Sequence, residues 1–416
     1  MCGHHQTQTQ EAEADAQNHH HHQDGSDKGE FPWDIGVYDA HCHPTDTMSS
    51  IANIANINSS GGSGGMKARV LTIMATRAQD QELVASVASQ HGITTSSRGS
   101  GEKETKVVPA FGWHPWFSHQ LYEDGSTSDK GAHYEAVLSP TPDAEFIASL
   151  PGPMSLKEYI AATKQRLLDH PYALVGELGL DKAFRLPWGK SLQQPVEEAL
   201  TPGGREGRML SPYHVKMSHQ VQILKAQLRL AGELGRAVSV HGVQAHGVLF
   251  DALSSLWKGH EKEYISKRKQ KMVAKGAEDF SSSEDEDEPD MGNSGKKGGG
   301  KKYEPRPFPP RICLHSFSGP PQMLNQYLNP TIPAKIFFSF SMAINLSTAG
   351  GEQRFADVIK ACPDDRVLIE SDLHIAGEEM DRVLEQMYRK VCEVKEWGLE
   401  EGVRRIAKNY EEFIFG

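Results

Sequence analysis

Eight short runs of apolar, largely β-branched residues punctuate the chain. They are Val37–His43, Arg69–Thr76, Val107–His114, Leu174–Leu180, Ala237–His241, Ile312–Phe317, Lys335–Ile344 and Val367–Asp372. Runs of this kind suit strands covered on both faces, as in a parallel sheet. Helical spacing separates most of them. Ser155–His170 carries apolar Leu156, Tyr159, Ile160, Leu167 and Leu168. Val215–Leu234 places Val221, Leu224, Leu228, Ala231 and Leu234 three and four apart, which is one face of a helix. The last long helix is expected to follow the final strand, from about Glu378 to Lys395. Eight strands alternating with helices predict an α/β protein, a (β/α)8 TIM barrel. A doubly wound open sheet is the other arrangement, but no GxGxxG follows the first strand.

Other segments lack the composition of a core. Residues 1–29 form a Gln/His/Asp/Gly-rich tail, including the run His19–His22, and read as disordered. Ser59–Gly65 has the composition of a flexible linker. The stretch at about 258–306 moves from basic (KRKQK) through acidic (SSSEDEDEPD) to basic Gly/Lys, so it is expected to be a solvated, disordered surface insertion. The domain reading is therefore a single barrel, 30–416, with long surface insertions. Lys and Arg number 44 against 55 Asp and Glu, a net charge of −11, which excludes a strongly basic nucleic-acid coat. No window has the roughly 18 consecutive apolar residues of a membrane span. Five scattered cysteines without a CxxC suit a reducing compartment, hence a cytoplasmic or nuclear setting.

The ionisable residues fall at the strand ends. Strand one ends in His41-Cys42-His43, and strand three in Gly112-Trp113-His114-Pro115. Strand four carries Glu177 and Asp181, strands five and six end at His241 and His315, and strand eight ends at Asp372. In a barrel these C-terminal ends converge on one face, where active sites are built. Alternate residues share a strand face, so His41 and His43 both point inward. Singly, each has a structural reading: HxH as two satisfied histidines, His114 as a capped loop residue, Glu177 as an ion pair, Asp372 as a helix N-cap. Together, six imidazole and carboxylate groups at five strand ends would be costly to bury unpaired. A divalent metal site is the simplest compensation.

The ordered motifs YDAHCH, GWHPW, GELGLD, VSVHG, LHSFSG, FFSFSMAIN and LIESDLH resemble the TatD family of metal-dependent deoxyribonucleases, from Val37 to about Phe415. The insertions and polar tail are most similar to its fungal, Cut-nine-interacting branch. Members of that branch are named for contact with a TPR subunit of the anaphase-promoting complex. The resemblance implies a hydrolase of phosphodiesters, with DNA as substrate and metal-activated water. It implies two divalent ions (zinc, magnesium or manganese): His41, His43 and Asp372 on the first, Glu177 bridging, His241 and His315 on the second. Two such ions bring +4 against −2 from Glu177 and Asp372, leaving a positive site. Asp372 would also accept a proton from water, and His114 would donate to phosphate or support a ligand. Asp39 and Asp181 would orient ligand histidines.

The chain departs from the family pattern at several positions. Gly242-Val243 replace Ser-Arg after the strand-five histidine, Ser316 stands where Cys is common, Ser371 replaces Thr, and Leu373-His374 replace Ala-Pro. The proposed ligands survive, while an expected phosphate-contacting arginine is lost, so weak DNA cleavage through poor substrate binding is expected; the alternative is that Lys182 or Arg185 after strand four supplies the contact. Two further readings use the same residues: an amidohydrolase acting on a small amide or ester, and a non-enzymatic binding partner of the TPR subunit.

Overall fold

The computed structural model describes residues 29–46, 54, 57, 65–93, 105–126, 128–188, 209–264, 303–347 and 350–416. The polar tail to residue 28, nearly all of the Ser59–Gly65 linker, and residues 265–302 of the charged insertion lie outside them. Pro32–Gly416 forms one compact unit.

All eight expected strands form, with ends shifted by a few residues. They are β1 (Tyr38–Cys42), β2 (Val70–Ala75), β3 (Lys106–Phe111), β4 (Val175–Asp181), β5 (Val238–Val243), β6 (Arg311–Leu314), β7 (Lys335–Phe340) and β8 (Val367–Ile369). They pair in parallel as two arcs, β1 to β3 and β4 to β8. Backbone bonds close both seams. The Phe111 N–H donates to the Leu174 carbonyl and the Leu174 N–H to that of Pro109, each at 3.0 Å. At the other seam the Asp372 N–H donates to the His41 carbonyl at 3.0 Å, and the His43 N–H to that of Leu373 at 2.8 Å. The result is the predicted TIM barrel.

Local chemistry sets the boundaries. The seventh apolar run stops being a strand at Phe340 because Ser341 caps a short helix, Met342–Asn345, accepting from the Ile344 N–H at 3.4 Å. The helix Leu156–Asp169 starts at Ser155, whose hydroxyl accepts from the Glu158 N–H at 3.2 Å. Met217–Leu234 ends at Gly235, in the left-handed region at φ 66°. Asp372 caps no helix, since Glu378–Lys395 begins after Gly377.

Contrary to expectation, Glu378–Lys395 is not the last long helix. Leu399–Phe415 follows, buried along Val403, Ile406, Ala407, Tyr410, Phe413 and Ile414. Ala407, Tyr410, Phe413 and Ile414 of this face cover the N-terminal end of the barrel, in one core cluster with Tyr38, Val70, Val108, Leu174, Ala237, Cys313, Phe337 and Leu368. Tyr410 stacks on Tyr38 at 4.7 Å between centroids and shares a 2.7 Å hydrogen bond with Thr72. Arg311 donates to the Phe413 and Ile414 carbonyls at 2.8 and 3.2 Å. Burying each such aromatic contributes roughly 1.5–3 kcal/mol. With one end covered, the open end is the one where the polar strand ends converge. No helix among the described residues is long and apolar enough to cross a membrane.

Candidate metal centre

The period of two in β1 turns both histidines inward. His41 is fully buried, His43 is 6% exposed, and their Nε2 atoms stand 3.0 Å apart. Glu177 on β4 is buried at the centre. Its Oε2 faces His41 Nε2 and His43 Nε2 at 3.5 and 3.4 Å. Its Oε1 faces His114 Nε2 at 3.1 Å, and His241 Nδ1 and His315 Nε2 at 2.9 Å each. Asp372 Oδ1 lies 3.9 and 3.6 Å from His41 and His43 Nε2. The structure thus brings together His41, His43, His114, Glu177, His241, His315 and Asp372. Ser316 and Asp372 hold left-handed backbone (φ 41° and 56°), an unfavourable conformation of the kind found at functional sites.

Hydrogen bonds assign several protons. The Trp116 N–H donates to His114 Nδ1 at 3.2 Å, so neutral His114 carries its proton on Nε2 and donates to Glu177. Burial holds His114 down to about 4 against the pull of Glu177. His241 Nε2 meets Asp181 Oδ2 at 3.3 Å, leaving Nδ1 to face Glu177. Burial opposes charge on Glu177, yet His114, His315 and His41 hold its carboxyl well below the ordinary range. Burial also opposes charge on His315, but Glu177 and Glu370 lift it well above the imidazole range. His43, likewise buried, is raised to about 9 by Asp372 and Glu177.

These shifts express a site short of positive charge. Imidazole lone pairs aimed at a carboxylate repel unless a proton or cation lies between. Filling the site with protons would place imidazoliums face to face, since His41 and His315 stack at 4.0 Å between centroids. A divalent ion serves better. Two donors, each about 2.1 Å from one ion, stand roughly 3.0–3.4 Å apart. Most separations around Glu177 fall close to that interval, and those of Asp372 are wider. Three groups bring their ligand atoms within 4.8 Å of one another: His41, His43 and Glu177; His41, His315 and Asp372; His114, Glu177 and His241. The donor set fits divalent ions.

The supporting carboxylates divide differently from the sequence reading. Asp181 faces the His241 ring and also accepts from Trp116 Nε1 at 2.6 Å. Asp39 meets no imidazole among the described residues. It accepts from the His41 and Ser371 backbone N–H groups at 3.1 and 3.0 Å and from the Ser371 hydroxyl, tying β1 to the end of β8. The His41 ring is instead hydrogen-bonded to Ser239 Oγ at 2.8 Å. The sequence reading also missed Glu370, fully buried, which accepts from the Ser316 N–H at 2.8 Å and from the hydroxyls of Ser316 and Ser339. Its Oε1 stands 3.5 Å from His315 Nδ1. The signal was present, because Glu370 precedes Asp372 by two residues.

The site opens into a cavity of about 360 Å³ that Gly242, Val243, Arg77, Asp46 and His374 also line. Lys182 and Arg185 do not line it. Lys182 borders a separate cavity with His214 and His246. Among the described residues lining the site cavity, Arg77 is the one lysine or arginine.

Residues 38–415 match the model of the TatD related DNase family. The Cut9-interacting protein scn1 of Schizosaccharomyces pombe is 35% identical over 387 residues, spanning 91% of this chain and 98% of that protein. An uncharacterized deoxyribonuclease of Saccharomyces cerevisiae is 27% identical over 328 residues, 76% of this chain and 84% of its own length. The crystal structure of YJJV, a TatD homologue of Escherichia coli, aligns with a TM-score of 0.49 at 15% identity, over 91% of this chain and 97% of that one.

Proposed function

This chain belongs to the TatD related DNase family, and from that premise we propose that it is a metal-dependent phosphodiesterase, a deoxyribonuclease using two divalent ions. His41, His43 and Asp372 would hold one ion, His241 and His315 the other, with Glu177 between them. Bound there, such ions supply positive charge for phosphate oxygens and make a water molecule more acidic. The observation that carries the reading is the buried Glu177 carboxylate, whose two oxygens face two different histidine groups.

The chain's own residues do the rest. Asp372, held down to about 2 by His43, His315 and His41 despite burial, is an ionised acceptor for a proton from the attacking water. Neutral His114 donates from Nε2 toward Glu177, in reach of a substrate oxygen entering the same space. Asp181 and Ser239 fix the His241 and His41 rings. A cytoplasmic or nuclear setting is part of the same proposal, on the scattered cysteines of the sequence.

The test is DNA cleavage by metal-loaded protein, with RNA and small amides or esters as parallel substrates. Chelator and Glu177→Ala should each abolish DNA cleavage. Cleavage of the amides alone would favour an amidohydrolase. A second reading, contact with a TPR partner, draws on the 35% identity to a protein named for interacting with Cut9. If wild type and Glu177→Ala are inert on every substrate while both bind such a partner, that reading replaces the first.

A further inference from the structure

We propose that Arg77 is the receptor for a non-bridging oxygen of the substrate phosphate, replacing the strand-five arginine this chain lacks; this rests on the phosphodiester reading above. Arg77 follows β2 and is 3% exposed. Its backbone is fixed by Asp80, whose carboxylate accepts from the N–H groups of Arg77 and Thr76 at 3.0 and 2.9 Å. Its guanidinium lies 4.9 Å over the Phe117 ring. One arm donates to Asp46 Oδ1 at 2.9 Å and to the Asp46 carbonyl at 3.3 Å. Its Nε is buried and has no hydrogen-bond partner among the described residues.

An unsatisfied donor on a permanently charged buried group is costly. A clamp between loops would account for the Asp46 contact but not for the unused Nε. Nor would it account for Arg77 lining the same cavity as His43, Glu177 and Asp372. A guanidinium with one arm anchored, its plane set by an aromatic ring and another donor free is organised in advance for an anion. Asp46 supplies the counter-charge at the rim, where His374 Nδ1 also approaches it at 3.4 Å. Val243 in the same cavity offers no donor. The cation has therefore moved from the end of β5 to the end of β2.

The test titrates metal-loaded wild type, Arg77→Met and Asp46→Asn with a labelled oligothymidylate at fixed salt. The same strand with uncharged methylphosphonate linkages is the control. Arg77→Met should weaken the charged strand about tenfold or more, leave the uncharged strand unchanged and keep the wild-type metal content. Asp46→Asn frees the guanidinium from a competing carboxylate and should tighten the charged strand. Equal affinity across all three proteins, equal loss for both strands, or no binding of the charged strand by wild type overturns the proposal. If Arg77→Met melts below the assay temperature, Asp46→Asn decides: tighter binding supports the role, and unchanged or weaker binding overturns it. Arg77-dependent binding without any phosphodiester cleavage would retain the receptor and reject the activity. Cleavage with affinity indifferent to both substitutions would do the reverse.

Discussion

Gly112→Ala would disturb the site without touching any group that reacts. Gly112 sits just beyond β3, at the seam with β4. A Cβ placed there would lie 2.4 Å from the Gly176 carbonyl carbon and 2.7 Å from the Glu177 carbonyl oxygen. Both are backbone atoms, so no side chain can swing aside. Ordinary contact begins near 3.4 Å, so the strands must part by about 1 Å, an overpacking cost of roughly 1–3 kcal/mol. The displaced element carries Glu177, and His114 lies two residues beyond the inserted methyl. A shift of about 1 Å in a catalytic group costs on the order of a hundredfold in rate. The expected variant is folded, with a lowered melting temperature, reduced metal retention and kcat down by about two orders of magnitude. Metal stoichiometry, calorimetry and steady-state cleavage measure these separately. Full metal content with wild-type kcat and an unshifted melting temperature would refute the claim that the seam positions Glu177.

The double variant His41→Ala/His43→Ala should lose one class of bound ion by elemental analysis while keeping its far-UV circular dichroism spectrum. Phe413→Ala should cost about 3–5 kcal/mol in urea unfolding, because a fully buried ring under the barrel leaves a cavity. Burial, reinforced by their neighbouring histidines, holds His119 and His219 down to about 3 and about 4. The unfolded chain therefore takes up protons first; their stabilising effect is full above about pH 6.5 and is lost as the pH falls toward 4. Each costs about 1.4 kcal/mol per pH unit in that window. His219→Gln, which can still donate to the Ser118 carbonyl that His219 now faces at 2.9 Å, should cut the loss between pH 7 and 5 by about 2 kcal/mol; an identical loss in urea melts would disprove this.

The strands were legible because burial on both faces writes itself as unbroken runs such as Val70–Ala75 and Lys335–Phe340. The site was legible because barrel topology turns scattered strand ends into neighbours, whatever their separation along the chain. Leu399–Phe415 shows the same spacing of apolar residues as the helices that were read, but its partner is the whole underside of the barrel, a surface that exists only in three dimensions. Arg77 escaped notice for a related reason. An arginine followed by a helical stretch reads as solvated surface, and only the fold shows its guanidinium over Phe117 and against Asp46. The resemblance implies that Asp39 orients a ligand ring; its carboxylate instead spans the β8–β1 seam, a contact that only the closed barrel creates.

That seam also governs when the centre can come into being. His41 and His43 are made early in synthesis and Asp372 more than three hundred residues later, yet Asp372 is held to them by two backbone hydrogen bonds at the strand ends and by the Asp39 carboxylate on Ser371. Glu177, His241 and His315 emerge in between, on one arc, so it is the set around His41, His43, Glu177 and Asp372 that no contiguous half of the barrel owns. An ion captured by the first strand alone would lack the Glu177 and Asp372 carboxylates. Tight retention at the position of His41, His43 and Asp372 is thus a reporter of ring closure, and two separately expressed barrel fragments would acquire it only by reassociating.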